Sequence, residues 1–219
     1  MMKTKIELEM PEVKEISLNP AKTAVVVIDL ENEFCAPTGK NYLGATAEEA
    51  VKASAALIDR ARVVIWVQSV RTSDAIEFTA FGRKLHLIDG TWAVEYTAPL
   101  KLLTGEPIIK KRSHDCFNHT DLDGYLERNS IVAPEWSIIV VGVGLQICVN
   151  HAVLGFSVRD YQMVVPLDCV APREGPGAVA TLWRFGHRAY SYNITVSTSE
   201  MMAFYGVVGK RIKRSGMAL

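Results

Sequence analysis

TAVVVIDL, residues 23–30, decides the fold. From Ala24 to Ile28 every residue is apolar and three consecutive ones are valine, so no polar position alternates with the apolar ones. A half-exposed strand would alternate; a strand covered on both faces reads like this one, and such strands belong to parallel sheets. Working outward, β-branched or apolar runs recur at Val63 to Gln68, Pro107 to Lys111, Trp136 to Gly142, Met163 to Leu167 and Ala189 to Val196. Helical spacing separates most of them, at Asp121 to Arg128, Gln146 to Arg159, Gly177 to Phe185 and Ser199 to Tyr205. Thr46 and Glu49 have the spacing of a capping box and predict a helix through about Arg60. Strand–helix alternation of this kind implies right-handed crossovers and a doubly wound, parallel α/β sheet with helices on both faces.

The chain has 219 residues, no internal repeat and no break in composition, which predicts one domain over 1–219 with a lead-in (about 1–20) and a basic tail (about 208–219). With 49% hydrophobic residues it can build a sizeable core. Lys+Arg and Asp+Glu balance at 24 each, so the electrostatic footprint of a nucleic-acid binder is missing. The basic run Lys210, Arg211, Lys213 and Arg214 reads as a solvated tail. Residues 1–10 mix charged and apolar positions without the apolar stretch of a signal peptide. The longest apolar runs, such as Ile138 to Val143, are too short to cross a bilayer. Cys35, Cys116, Cys148 and Cys169 form no CxxC pair, and the expectation is a soluble protein of a reducing cytoplasm.

Two long connections, Glu31 to Ala45 and Val70 to Glu106, each leave the C-terminal end of an expected strand. Ligands of open α/β sheets bind at that edge, and loops this long are lids or oligomer arms. Familiar motifs fail there. Gly142-Val143-Gly144 begins like a dinucleotide fingerprint, but Ile147 stands at the third glycine position; GxxxxGK[ST] and GxSxG are missing; and His86, His114, His119, His151 and His187 lack HxxxH or HExxH spacing. What survives is a thiol with two charged companions. Cys148 falls in the first turn after the strand Trp136–Gly142, where free N–H groups and the helix dipole favour a thiolate and a developing oxyanion. Asp29 ends the first buried strand, where a carboxylate needs a partner. Lys111 ends the strand Pro107–Lys111. Alone, each has an ordinary reading: a structural cysteine, a loop cap, a solvated edge lysine.

Taken together, these residues and their surroundings resemble the isochorismatase-like cysteine hydrolases, a family that includes nicotinamidases, N-carbamoylsarcosine amidases, ureidoacrylate amidases and biuret hydrolases. The resemblance is carried by VVVIDLENEFCAPTG (Val25 to Gly39), by DGTWAVEY around Gly90 to Trp92, by EPIIKKRSHDCFNHTDLDGYL around Lys111, and by IIVVGVGLQICVNHAVLGFSVRDYQMVVPLDC around Cys148. It implies a six-stranded parallel sheet, with Cys148 as nucleophile, Asp29 as general base and Lys111 as their positive partner. It also implies a non-proline cis peptide at Val143–Gly144 that aims the N–H groups of Gly144 and Cys148 at the substrate oxygen.

The activity so implied is hydrolysis of a C–N bond in a small carboxamide or carbamoyl compound through a thioester-type intermediate. Ester or enol-ether hydrolysis, or a non-catalytic scaffold built on the same fold, are the alternatives. Phe34 and Trp92 are candidate pocket walls, and Arg71 and Arg173 candidate anchors for a substrate carboxylate. His151, one turn beyond Cys148, reads as packing rather than as half of a Cys–His pair, and Cys116 as a buried small side chain. Nicotinamidases of the family hold a metal through an Asp-x-His segment; the matching stretch Gln68 to Ile76 has one acid, Asp74, and no histidine. No cofactor and no metal is therefore expected, and the long loops suggest a homo-oligomer, dimer or tetramer.

Overall fold

The structure, a computed structural model, describes residues 10–187 and 191–205. The basic run at 210–214 lies outside them. In chain order the elements are β1 (Ile16–Leu18), β2 (Thr23–Ile28), α1 (Asn32–Cys35), α2 (Ala45–Ile58), β3 (Val63–Ser69), α3 (Ile76–Thr79), β4 (Ile108–Lys111), α4 (Leu122–Arg128) and β5 (Ser137–Val143). A π-turn, Leu145–Val149, then runs into α5 (Asn150–Ser157), followed by β6 (Gln162–Pro166), β7 (Val170–Ala171), α6 (Gly177–Gly186), β8 (Ile194–Ser197) and β9 (Met202–Phe204).

The main sheet has the order β4-β3-β2-β5-β6-β8, with β7 adding a short pairing to the end of β5. Every pairing is parallel. The all-apolar run of β2 is explained by its central place, because successive side chains serve opposite layers. Ala24, Val26 and Ile28 pack in the layer of α4, α5 and α6, while Val25 and Val27 pack in the layer of α2. Each fully buried valine or isoleucine among them contributes about 1.5–3 kcal/mol of hydrophobic stabilisation. From β2 the chain winds outward through α2 to β3, and from β5 it winds the other way through α5 to β6. The strand order therefore reverses between β2 and β5, and their C-terminal ends open the crevice in which α/β sheets bind ligands.

Gly142 is what lets those two strands close on each other. It adopts φ 143°, and a Cβ there would stand 2.1 Å from the Ile28 carbonyl oxygen. Replacing it with alanine combines backbone strain of about 1–3 kcal/mol with overpacking of about 1–3 kcal/mol. Gly142→Ala is expected to lower the melting temperature by roughly 5–15 °C in a thermal melt. An unchanged melting temperature would contradict the close approach of β2 and β5.

Two expectations of local structure are corrected. α2 opens at Ala45 behind Gly44, which caps at φ 87° with no side-chain capping bond, so Thr46 and Glu49 make no capping box. Gly44 adopts a backbone that a threonine would enter only under strain, and Thr46 falls inside the first turn instead. Ser199 to Tyr205 is not helical. It contains β9, which pairs in parallel with β1 in register Ile16↔Met202, Ser17↔Ala203 and Leu18↔Phe204. A three-residue strand is too short for its period to be read, and tertiary pairing overrides the local pattern.

Candidate active site

Asp29, Lys111 and Cys148 meet at the C-terminal edge of the sheet, each delivered by a different strand. Asp29 follows β2 in the left-handed region, at φ 54°, a conformation that aspartate tolerates better than most residues. Its N–H still donates to Val67 O at 3.2 Å, so the turn begins only after the last sheet bond. Lys111 is the last residue of β4, at the sheet margin, and its side chain reaches inward past β3. Nζ donates to Ser69 Oγ at 2.7 Å, Asp29 Oδ2 at 2.8 Å, Ser113 O at 3.2 Å and Cys148 Sγ at 3.4 Å. Asp29 and Lys111 are both 1% exposed. Cys148 is partly exposed and sits in the π-turn after β5, so its sulfur faces both the buried ammonium and the open crevice.

The electrostatics follow from that burial. Burial alone would lower the Lys111 pKa, but Asp29, Cys148 and Glu31 around it more than reverse this, and the ammonium stays charged. Burial and then the Asp29 carboxylate push the Cys148 thiol up, against the pull of Lys111. These surroundings favour the protonated thiol. The thiolate expected from a helix N-terminus is opposed here by desolvation and by the Asp29 carboxylate. Beneath the pair lies Glu31, wholly buried, whose Oε1 accepts from the Ser69 N–H at 2.6 Å. Burial first, and Asp29 second, raise its pKa well above the ordinary carboxylate range.

The open side of the sulfur belongs to a residue that carried no catalytic signal in the sequence. His114, three positions past Lys111, places Nδ1 3.4 Å from Cys148 Sγ. Its ring lies 5.9 Å from that of His151, which is exposed and whose Nδ1 donates to Ile147 O at 2.8 Å. The carbonyl can only accept, so this nitrogen of His151 holds the proton. Cys116 is fully buried, as expected, and burial pushes its thiol up to about 12.

A cleft of about 630 Å³, mouth included, opens over Cys148. Phe34, Arg71, Arg173, Val143 and Gly144 line it as expected, and Arg83 and His86 of the long 70–106 connection join them unforeseen. Arg71 is held by an ion pair with Glu77, whose other oxygen takes Arg83 at 3.3 Å. Arg173 is fixed through its backbone. Its N–H donates to Gln146 Oε1 at 3.0 Å and its carbonyl accepts from Gln146 Nε2 at 2.7 Å, which ties the loop after β7 to the π-turn. Trp92 is not part of the cleft. It is 48% exposed on a short 3-10 turn, and its carbonyl accepts from the Asn32 side chain at 3.0 Å. The Val143–Gly144 peptide is trans; among the described residues the cis bonds are those before Pro99 and Pro134. The turn out of β5 is made instead by Gly142 and the wide π-turn, in which the Val149 N–H reaches back to Gly144 O at 3.4 Å.

Among the described residues, no group of three or more His, Cys, Asp or Glu side chains is placed to hold a metal ion. Among them, too, no helix is long and apolar enough to cross a membrane.

The model of the isochorismatase domain matches residues 23–200, a span that takes in all three residues of the pair and its thiol. The chain belongs to the isochorismatase family. Among solved structures, this isochorismatase-family chain is similar to an N-carbamoylsarcosine amidase from Thermoplasma acidophilum, at 27% identity and TM-score 0.67, over 82% of this chain and 97% of that one. An isochorismatase-like hydrolase from Alkaliphilus metalliredigens aligns at 24% identity and TM-score 0.67, over 82% and 96% of the two chains. A nicotinamidase from Bacillus subtilis aligns at 24% identity and TM-score 0.67, over 80% and 99%. The last two likenesses establish the three-layer fold. No curated protein sequence matches the chain.

Proposed function

We propose that this isochorismatase-family member is a cysteine-dependent amidohydrolase that cleaves a C–N bond of a small carboxamide or carbamoyl compound. The observation that carries the reading is the single buried ammonium of Lys111, bonded at once to the Asp29 carboxylate at 2.8 Å and the Cys148 sulfur at 3.4 Å. That arrangement holds a base and a nucleophile against one positive charge, which stays in place whichever of the two is ionised. Oδ2 of Asp29 is engaged by Lys111, so Oδ1 is the oxygen that takes the thiol proton. The sulfur then attacks the substrate carbonyl, and Asp29 returns the proton to the departing amine. Water then hydrolyses the thioester or thiocarbamate and restores the thiol.

The lining of the cleft narrows the substrate. Arg71, Arg83 and Arg173 face it against the one carboxylate of Glu77, which pairs with the first two, while Asp29 is already neutralised by Lys111. This excess of positive charge favours a substrate that carries a carboxylate besides its amide. The exposed Ile76, Phe81 and Leu85 on the long connection support a homo-oligomer in which that segment meets a second copy. A cytoplasmic setting agrees with four free cysteines.

The test is ammonia or amine release from a panel of small amides and ureas with and without a carboxylate. Release is expected from acidic members. Failure of every member, together with slow and equal alkylation of all four cysteines, would overturn the assignment in favour of a scaffold. The reaction is also expected to survive exhaustive EDTA treatment, because the stretch Gln68 to Ile76 offers only Asp74 as a ligand and Arg71 of the same stretch lines the cleft with positive charge. Metal analysis of protein purified without chelator checks this. Stoichiometric zinc with EDTA-sensitive deamidation of nicotinamide contradicts it.

A further inference from the structure

The sulfur of Cys148 has two sides. The inner side is the Lys111–Asp29 pair, almost wholly removed from water. The outer side is His114, whose Nδ1 lies at the same 3.4 Å from Sγ as the Lys111 ammonium. These two contacts differ in kind. An ammonium has only protons to give and holds the sulfur as a donor, whereas a neutral imidazole with its proton on Nε2 presents a lone pair at Nδ1. We propose that His114 is a second proton acceptor for the Cys148 thiol, working from the solvent side of the sulfur while Asp29 works from within. The proposal rests on Cys148 being the nucleophile.

The step balances without any further reactant. The S–H bond breaks, its proton goes to Nδ1, and the products are an imidazolium on His114 and a thiolate held by the Lys111 ammonium. The imidazolium faces the crevice and can give that proton to a departing amine or to water. His151 does not compete for the role, since its own Nδ1–H is bound to Ile147 O at 2.8 Å. The charges around His114 suit an acceptor. Burial lowers its pKa, Lys111, His151 and Arg71 lower it further, and Asp29 alone opposes them, so the ring is neutral at neutral pH.

The residue is open to substitution, being solvent-facing on the connection between β4 and α4. The readout is the rate of Cys148 carboxamidomethylation by iodoacetamide, followed by peptide mass spectrometry across the pH range, which needs no substrate. Wild type is expected to label at Cys148 well ahead of the other cysteines. Its rate should have an inflection below the ordinary histidine value of about 6.5, where His114 loses its proton and becomes an acceptor. In His114→Ala and His114→Gln the inflection should vanish and the neutral-pH rate should fall about tenfold to a hundredfold, the low end for proton transfer because Asp29 remains. Wild-type rate and inflection in His114→Ala would overturn the proposal by making His114 a wall of the cleft. Restoration of both by glutamine would overturn it in favour of a positioning role. Slow, equal labelling of all four cysteines in wild type would overturn it differently, by removing the nucleophile itself.

Discussion

Cys148→Ala is expected to reduce turnover below about a hundredth of wild type without unfolding the protein. The side chain removed is small and partly exposed, so the cavity left behind is minor. Lys111 loses one of its partners but keeps Asp29, Ser69 and the Ser113 carbonyl, so its charge is still compensated. What disappears is the thiol on which the proposed covalent intermediate forms. Cys148→Ser should be nearly as inactive, because a hydroxyl is a far weaker acid and a weaker nucleophile than a thiol. The measurement is a steady-state rate on the best substrate from the panel, alongside a thermal melt. Residual turnover above a hundredth in Cys148→Ala would end the covalent mechanism.

Lys111→Ala and Asp29→Asn are the second large effect, and they act on rate and stability together. Each should cost on the order of 10²–10⁴ in rate, the range of a positioned proton transfer. Lys111→Ala should also cost about 3–5 kcal/mol of stability, since it strands a carboxylate that is 1% exposed. The double variant should be little slower than either single one and more stable than Lys111→Ala, because residues that act as a unit fail together. Additive losses would place the two residues in separate functions. The pH dependence has a definite sign. The folded pKa of Lys111 stands above its ordinary 10.5, so its contribution is complete below that value and is lost only as pH rises through the folded one. The stability gap between wild type and Lys111→Ala should thus stay constant from neutrality to about pH 10 in denaturant titrations.

The sheet was legible because its cause is local. A valine run between Thr23 and Ile28 has one economical use, and the positions of Asp29, Lys111 and Cys148 at strand ends follow once strands are assigned. The site's outer half was not. His114 sits on a connection with no period, and nothing in RSHDCF, residues 112–117, distinguishes a ring that touches sulfur from one that points into water. His151, by contrast, is legible, since helical spacing alone places it one turn from Cys148. Arg83 was lost for the same reason as His114: a long loop brings it back to the cleft by tertiary contacts alone. Trp92 erred the other way, an aromatic near the right segment whose ring faces solvent. The π-turn at Cys148 has no spacing signature distinct from an α-helix, so the trans geometry at Val143–Gly144 was equally invisible.

The small second sheet has a mechanical meaning. β1 and β9 run parallel although nearly the whole domain separates them in sequence; Tyr205 N–H extends the pairing to Leu18 O at 3.0 Å, and beside it Lys14 is tied to β8 of the main sheet, its N–H donating to Val196 O at 2.9 Å and its carbonyl accepting from Ser197 Oγ at 2.8 Å. Parallel strands pulled from the start of one and the end of the other slide along their axes, across hydrogen bonds that are all loaded together. Tension applied along the chain from before β1 and beyond β9 therefore loads this pair in shear, together with the Lys14 tie to β8, before it reaches the strands that carry the site. The pair acts as a clasp. An unfolding motor that grips either side has to break it as a set before it can disturb Asp29, Lys111 and Cys148.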